Sequence, residues 1–331
     1  MSGYTQRALT EADAAAFVSL ARAINEADGS DQRMDEADYL FWLHHPLGQP
    51  DLDDFVGYFD GDRLVAGGWV ARETEADQAH WMHTHGGVHP DYRGRGLGTD
   101  MLRWQQRLAP VIHERHFPEA RLELSVSAMA GNTEALELFV NEGFTPERFF
   151  FEMHRPQDLP VQARPVPEGL TIETLGADMR KPLRLVQNEV FADHWRGTPF
   201  IEEEWDQWLG QEKVQPQLSF LLRDAENSAV AGYLISSFSE AQFADTGVRD
   251  IHFNLIGTAR PYRGRGVASA LIAHAVRESR KEGYQTASLG VDGQNPTGAL
   301  GVYERNGFEC KAKSVLYNKI LSEPKPGAAE A

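Results

Sequence analysis

Apolar positions along the chain follow two rhythms, and the switch from one to the other marks each predicted element. Phe17, Leu20, Ala21 and Ile24 recur at helical spacing and predict a helix over Glu11–Ala27. Strand formers in Phe55–Phe59 and Leu64–Val70 flank the turn Asp60-Gly-Asp62, which predicts a hairpin. A strand over His80–Val88 enters a glycine-rich turn, and Leu97, Met101, Leu102 and Leu108 then mark one helix face. Leu122, Leu124 and Val126 alternate as a strand over Arg121–Ser127. Ala135, Leu136 and Phe139 predict a helix over Asn132–Glu142, stopped by Gly143, with a last strand from Phe144.

The same order then returns. Leu183–Phe191 reads as a helix, Phe220–Arg223 and Val230–Ile235 as a hairpin, and Ile251–Ile256 as the strand into a second glycine turn. Val267, Leu271, Ile272, Ala275 and Val276 line the next helix; Ala287–Val291 is a strand and Gly298–Arg305 a helix ended by Asn306-Gly307. Arg93 and Arg263 are 170 positions apart, Val65-Ala-Gly67 and Val230-Ala-Gly232 are 165 apart, and Gly143-Phe144 and Gly307-Phe308 are 164 apart. Three landmarks in one order at nearly one offset predict the tandem duplication of a domain of roughly 150 residues. Arg155–Gly169 contains four prolines and no periodicity, which reads as a linker. The expected division is an N-terminal domain over 1–155, a linker over 156–169, a C-terminal domain over 170–321 and a disordered tail over 322–331.

Composition narrows the function. The 331 residues are 41% apolar, enough for two ordinary cores. A net charge of −17, from 32 basic and 49 acidic residues, argues against general nucleic-acid binding, which rests on phosphate contacts. Cys310 is the sole cysteine, so no intrachain disulfide can form, and a cytoplasmic location is expected. The first residues lack the basic flank and apolar core of a signal peptide, and no run reaches the ~18 apolar residues of a membrane span.

The candidate chemistry lies in the two glycine turns, His89-Pro-Asp-Tyr-Arg-Gly-Arg-Gly-Leu-Gly-Thr99 and Arg260-Pro-Tyr-Arg-Gly-Arg-Gly-Val-Ala-Ser269. Between strand and helix, such a turn points unpaired backbone N–H groups from the positive end of the helix dipole, a seat for phosphate. Arg93 and Arg95, or Arg263 and Arg265, would add charge-assisted hydrogen bonds. Neither copy spells G-x-G-x-x-G, because Thr99 and Ser269 stand where the third glycine would be. Neither carries the Gly-Lys-Ser/Thr of a nucleotide triphosphate loop.

Both copies do spell Arg-x-x-Gly-x-Gly/Ala, and here the sequence resembles the GNAT acyltransferase superfamily, whose pyrophosphate loop for acetyl-CoA has that pattern. Asn295 to Tyr303 to Gly307-Phe308, and Asn132 to Phe139 to Gly143-Phe144, resemble the family's later Asn, Leu-Tyr and Gly-Phe signatures. The resemblance covers nearly the whole chain, and the duplication is similar to tandem GNAT proteins of the mycothiol synthase type.

The resemblance implies an α/β fold of two tandem GNAT domains, each a mixed, largely antiparallel sheet with helices on both faces. It implies an acetyl-CoA-dependent N-acetyltransferase acting by direct transfer on a small amine, a mycothiol-like acceptor among them; the rival is a non-catalytic acyl-CoA-binding or sensor protein. It assigns CoA to Ile256, Gly257, Thr258, Arg263, Gly264, Arg265, Gly266, Val267, Ala268, Ser269 and Asn295. In the first half the matching residues are Gly86, Gly87, Val88, Arg93, Gly94, Arg95, Gly96, Leu97, Gly98 and Thr99. Tyr303 holds the family's proton-donor position, whereas Phe139 cannot donate, so catalysis is expected in the C-terminal domain. Asn295 precedes Tyr303 by eight residues, whereas Asn132 precedes Phe139 by seven. The family often places a Glu on the strand before the loop. This strand has none, and alignment on Gly257 puts His252 near that position, with Asp250 two residues earlier on the same face. Asp193 and Trp195 are expected on the acceptor wall. His80, His83, His85 and His89 cluster, but the family calls for no metal and none is expected.

Overall fold

A computed structural model describes residues 3–325 except Pro46, Asp77, Gln78, Asp193, Thr198, Pro296 and Thr297, with Pro50 described by its backbone alone. The chain divides into two compact units, one of residues 1–149 with 314–331 and one of residues 150–313. In chain order the first half carries β1 (Thr5–Ala8), α1 (Ala14–Asp28), α2 (Glu36–Leu43), β2 (Phe55–Asp60), β3 (Arg63–Arg72), β4 (His80–Val88), α3 (Leu97–His116), β5 (Leu122–Met129), α4 (Thr133–Asn141) and β6 (Thr145–Pro156). The second half follows with β7 (Leu170–Thr174), α5 (Arg180–Phe191), α6 (Glu202–Leu209), β8 (Phe220–Asp224), β9 (Val230–Ser237), α7 (Glu240–Thr246), β10 (Asp250–Thr258), α8 (Val267–Lys281), β11 (Thr286–Asp292), α9 (Ala299–Arg305) and β12 (Glu309–Ser322).

In the first unit β1, β2, β3 and β4 pair antiparallel, and β5 lies parallel to β4. In the second, β7 to β10 repeat that order with β11 parallel to β10. Each sheet is then completed by a strand from the other half of the sequence. Residues 314–322 of β12 pair with β5, and residues 150–156 of β6 pair with β11.

The compact units therefore differ from the expected 1–155 and 170–321 in the placement of their final strands. The proline-rich stretch belongs to the second unit because it is anchored there. Arg155 is 1% exposed, and its guanidinium donates to the carbonyls of Asn306, Pro156, Leu159 and Pro160. Buried Gln157 donates to Ser279 Oγ at 3.0 Å. Five backbone or hydroxyl acceptors hold a segment that composition reads as loose. The start of the tail is also tied down: Ser322 ends β12, Glu323 pairs with Arg121, and Lys325 with Glu114. The remainder of the expected disordered tail, 326–331, lies outside the described residues.

Tyr262 in the second glycine turn donates to Asp224 at 2.8 Å, and Tyr92 in the first donates to Asp60 at 3.0 Å. In both units this fastens the loop to the turn of the β2–β3 or β8–β9 hairpin. The dihedrals repeat as well: Gly94 and Gly264 have φ of 71° and 76°, and Gly96 and Gly266 have 85° and 86°. A side chain at Gly96 or Gly266 would find space but not a comfortable backbone, which is why the residue before each helix is glycine.

The first unit buries a histidine pair in its core. His80 Nδ1 lies 2.9 Å from His113 Nδ1, and His80 is 0% exposed. Burial pushes His80 down to about 3. The unfolded chain takes up a proton below pH ~6.5 that folded His80 refuses, so stability falls as pH drops from that value toward 3. From His80 alone we expect about 1.4 kcal/mol lost between pH 8 and pH 5.5. Urea unfolding at the two pH values checks this, and the His80→Leu variant should show that much less pH dependence.

Candidate active site

In the second unit, β10 pairs with β11 only from Asp250 to His252. Beyond it, β10 stays paired with β9 through Thr258 while its other edge leaves the ladder. This opens a slot beside the backbone of Leu255 to Thr258, the segment expected to meet pantetheine. The first unit opens in the same way, with β4 and β5 paired only from His80 to His83. At the divergence β10 carries one extra residue, Asn254, in a bulge of the β9–β10 ladder.

Gly257 faces the Tyr233 ring so closely that a Cβ there would collide with its Cζ, Cε1 and hydroxyl. Tyr233 is 0% exposed, and its hydroxyl is bonded to Gln187 Oε1. Gly86 is equally tight against the backbone of β3, and a Cβ at Gly87 would press on the end of the Ile24 side chain. Two slots whose walls admit no side chain, each ending at a glycine turn and a helix N-terminus, suit a narrow chain ending in pyrophosphate.

Several loop residues have other duties. Val267 and Leu97 are each 1% exposed, so only their backbone faces the turn. Arg93 pairs with Asp28 at 2.8 Å, and Asn132 donates to the other oxygen of that carboxylate at 2.9 Å, tying the first loop to α1 and α4. Arg95 donates to the Asp91 carbonyl and lies over the Tyr92 ring. Arg263 donates to the Thr258 carbonyl, and Arg265 to that of Glu168 while lying over Tyr262. Ser269 Oγ accepts from Asn306 at 3.3 Å. Gly264 and Gly266 are open, and Gly98 approaches Leu138. Asn132 caps α4 through its side chain, whereas α9 begins at Gly298 with φ 72°. Asn295 thus lies three residues before the cap of α9, whereas Asn132 is itself the cap of α4.

Tyr303 lies on α9, 9% exposed and edge-on to Phe308 at 6.4 Å. Burial pushes its phenol up to about 12, so it keeps its proton at neutral pH. Phe139, its counterpart on α4, packs edge-on to Tyr317 at 5.6 Å.

His252 sits where β10 parts from β11. Its Nδ1 is 2.9 Å from Ser288 Oγ, and the Ser288 hydroxyl is hydrogen-bonded to Asp250 Oδ2. Asp250 Oδ1 also accepts from Thr286 at 2.5 Å. Burial lowers the His252 pKa, and Asp250 opposes the shift. Among the described residues neither His252 Nε2 nor the Tyr303 hydroxyl has a hydrogen-bond partner, and neither atom is sealed off.

Strand register places Ser288 beside His154, Gly290 beside Glu152 and Asp292 beside Phe150, all on the face that carries His252. Trp195 reaches the same face, 6.4 Å from Phe150, with Arg196 over its ring. Asp193 lies outside the described residues. A Cβ added at Gly290 would meet nothing within 4 Å, so the face is open there. Ser288 and the β6 residues are site residues that the sequence does not flag, because nothing in their own spelling marks them and β6 belongs to the other half of the chain.

This pairing of a diverging parallel strand pair with an Arg-x-x-Gly-x-Gly/Ala turn is the architecture of one acyltransferase class. The sequence profile of the Acetyltransferase (GNAT) family matches residues 15–140 and again 184–308, and the chain belongs to that family. It is an acetyl-CoA-dependent N-acetyltransferase with two tandem GNAT domains. The chain is 27% identical over 315 residues to the mycothiol acetyltransferase of Thermobispora bispora, covering 94% of this chain and 97% of that one. A GCN5-related N-acetyltransferase from Sphaerobacter thermophilus superposes with a TM-score of 0.75 at 26% identity, over 98% of both chains. A tandem GNAT protein from the clavulanic acid biosynthesis pathway shares the fold, with a TM-score of 0.69 at 14% identity over 97% of this chain and 99% of that one. Among the described residues no helix is long and apolar enough to cross a membrane.

Proposed function

We propose that acetyl transfer occurs in the unit of residues 150–313, with His252 as general base and Tyr303 as general acid, on a small amine held against the face of Trp195 and Gly290. Bound acetyl-CoA supplies an activated acetyl thioester. The backbone of Ile256, Gly257 and Thr258 aligns its pantetheine, and the Gly264–Gly266 turn with the first N–H groups of α8 receives its pyrophosphate. His252 Nε2 takes the proton from the attacking amine, and Tyr303 gives its own to the departing sulfur. Nε2 and the hydroxyl then exchange protons with water.

One contrast carries this assignment. In the second unit neither group has a hydrogen-bond partner among the described residues, whereas in the first the acid is Phe139 and the corresponding histidine, His83, has its Nε2 held by Glu73 at 2.9 Å. The first unit then serves as a CoA-binding or substrate-shaping half. The curated relatives carry the name mycothiol acetyltransferase, so a mycothiol-type acceptor belongs in any amine panel.

Thiol release from acetyl-CoA across such a panel tests the proposal, with native mass spectrometry counting bound CoA. Amine-dependent release is expected. Tight CoA binding with no turnover on any amine would instead support a sensor.

A further inference from the structure

We propose that Ser288 and Asp250 are positioning residues that fix the tautomer of His252 and support its positive charge during transfer. The proposal rests on His252 being the base and adds how that base is made competent.

The hydrogen bonds allow one assignment of protons. Asp250, acceptor-only as a carboxylate, receives the hydroxyl protons of Ser288 and Thr286. Ser288 has spent its single proton, so its oxygen must accept from His252, and Nδ1 carries the hydrogen. The lone pair is then on Nε2, the atom without a partner. When Nε2 takes a proton from the amine, Nδ1–H still donates to Ser288, whose dipole points toward the Asp250 charge. No proton need reach Asp250, and the charge on the imidazolium is balanced through one hydroxyl.

The neighbours of His252 make this support necessary. Ser237 flanks it on β9, and His154 on β6 and Lys213 both disfavour its charged form, as does burial. Asp250, 6% exposed, is the group that favours it. The first unit supplies an internal comparison. His83 pairs in register with Ser125 as His252 does with Ser288. There, however, Ser125 faces Asn318 Oδ1 at 3.3 Å, and Glu73 meets Nε2 directly. The same two residue types occur twice, but only in the second unit does the carboxylate approach from the Nδ1 side and leave Nε2 available. The bulge at Asn254 hides this equivalence, since it shifts the offset between the halves from 170 at the loop to 169 at the histidines.

The test uses ¹⁵N NMR of the histidine rings in the full chain, with His252 assigned by its loss in His252→Gln. The Nδ1–H tautomer is expected, and an Nε2–H tautomer overturns the proposal. Asp250→Asn and Ser288→Ala should each lower the His252 pKa by about one unit, a tenfold change in its protonation equilibrium, while Ser288→Thr keeps the wild-type value. With acetyl-CoA and the panel's fastest amine, Ser288→Ala should lose about tenfold in kcat with KM nearly unchanged, and the acid limb of its pH profile should move down with the pKa. An unshifted profile and pKa in Ser288→Ala, while His252→Gln is inactive, leaves the base standing and removes the relay. Full activity in His252→Gln removes the base itself.

Discussion

Tyr303→Phe is expected to lower kcat by about 10²-fold, and His252→Gln by about 10²–10³-fold, with CoA affinity nearly unchanged in both. The tyrosine change deletes one oxygen from a ring that is 9% exposed and packs on Phe308, so the helix should keep its place. What is lost is a proton at the sulfur, because a phenol raised to about 12 remains a donor throughout the working pH range. Introducing Phe139→Tyr into Tyr303→Phe should not restore turnover. The new hydroxyl would join a unit whose His83 Nε2 is already bonded to Glu73. Steady-state kinetics on the single and double variants checks both statements. Recovery of rate in the double variant would move catalysis to the first unit.

Much of this is legible in the sequence, for a physical reason. The strand, glycine turn and helix are specified locally: alternation sets the strand, positive φ demands glycine before the helix, and periodicity sets the helix face. All three occur twice, so the duplication can be read as well. Long-range strand pairing cannot. The stretch from Phe144 reads as a strand closing its own domain, residues 309–322 fall within the expected second domain, and nothing in either pattern says which sheet it completes. Helices α6 and α7 are too short to show a clear period, although Trp205, 0% exposed with its indole N–H on the Arg180 carbonyl, anchors the first of them. In the candidate site, alignment on the loop is enough to nominate His252. It does not find Ser288, whose meaning depends on a parallel neighbour, and that register is set by the whole sheet.

Gly257→Ala is expected to destabilise the second unit by about 3 kcal/mol, the upper range for inserting a methyl into a packed interior. The added Cβ meets the hydroxyl end of the Tyr233 ring. That ring cannot swing away, since it is fully buried and its hydroxyl is bonded to Gln187. Gly290→Ala is the matched control: it lies on the next strand, has nothing within 4 Å, and should change stability by no more than about 0.5 kcal/mol. Its methyl should instead raise KM for the amine, because Gly290 shares the open face with His252. Urea unfolding of the two variants separates the effects. Combining Gly257→Ala with Tyr233→Leu should cost at least about 1 kcal/mol less than the sum of the single changes, since the second removes the atoms that the first strikes. Additivity would mean that Tyr233 does not form that wall of the slot. A Gly257→Ala protein that keeps its stability but loses CoA binding would instead place the requirement for glycine in the ligand alone.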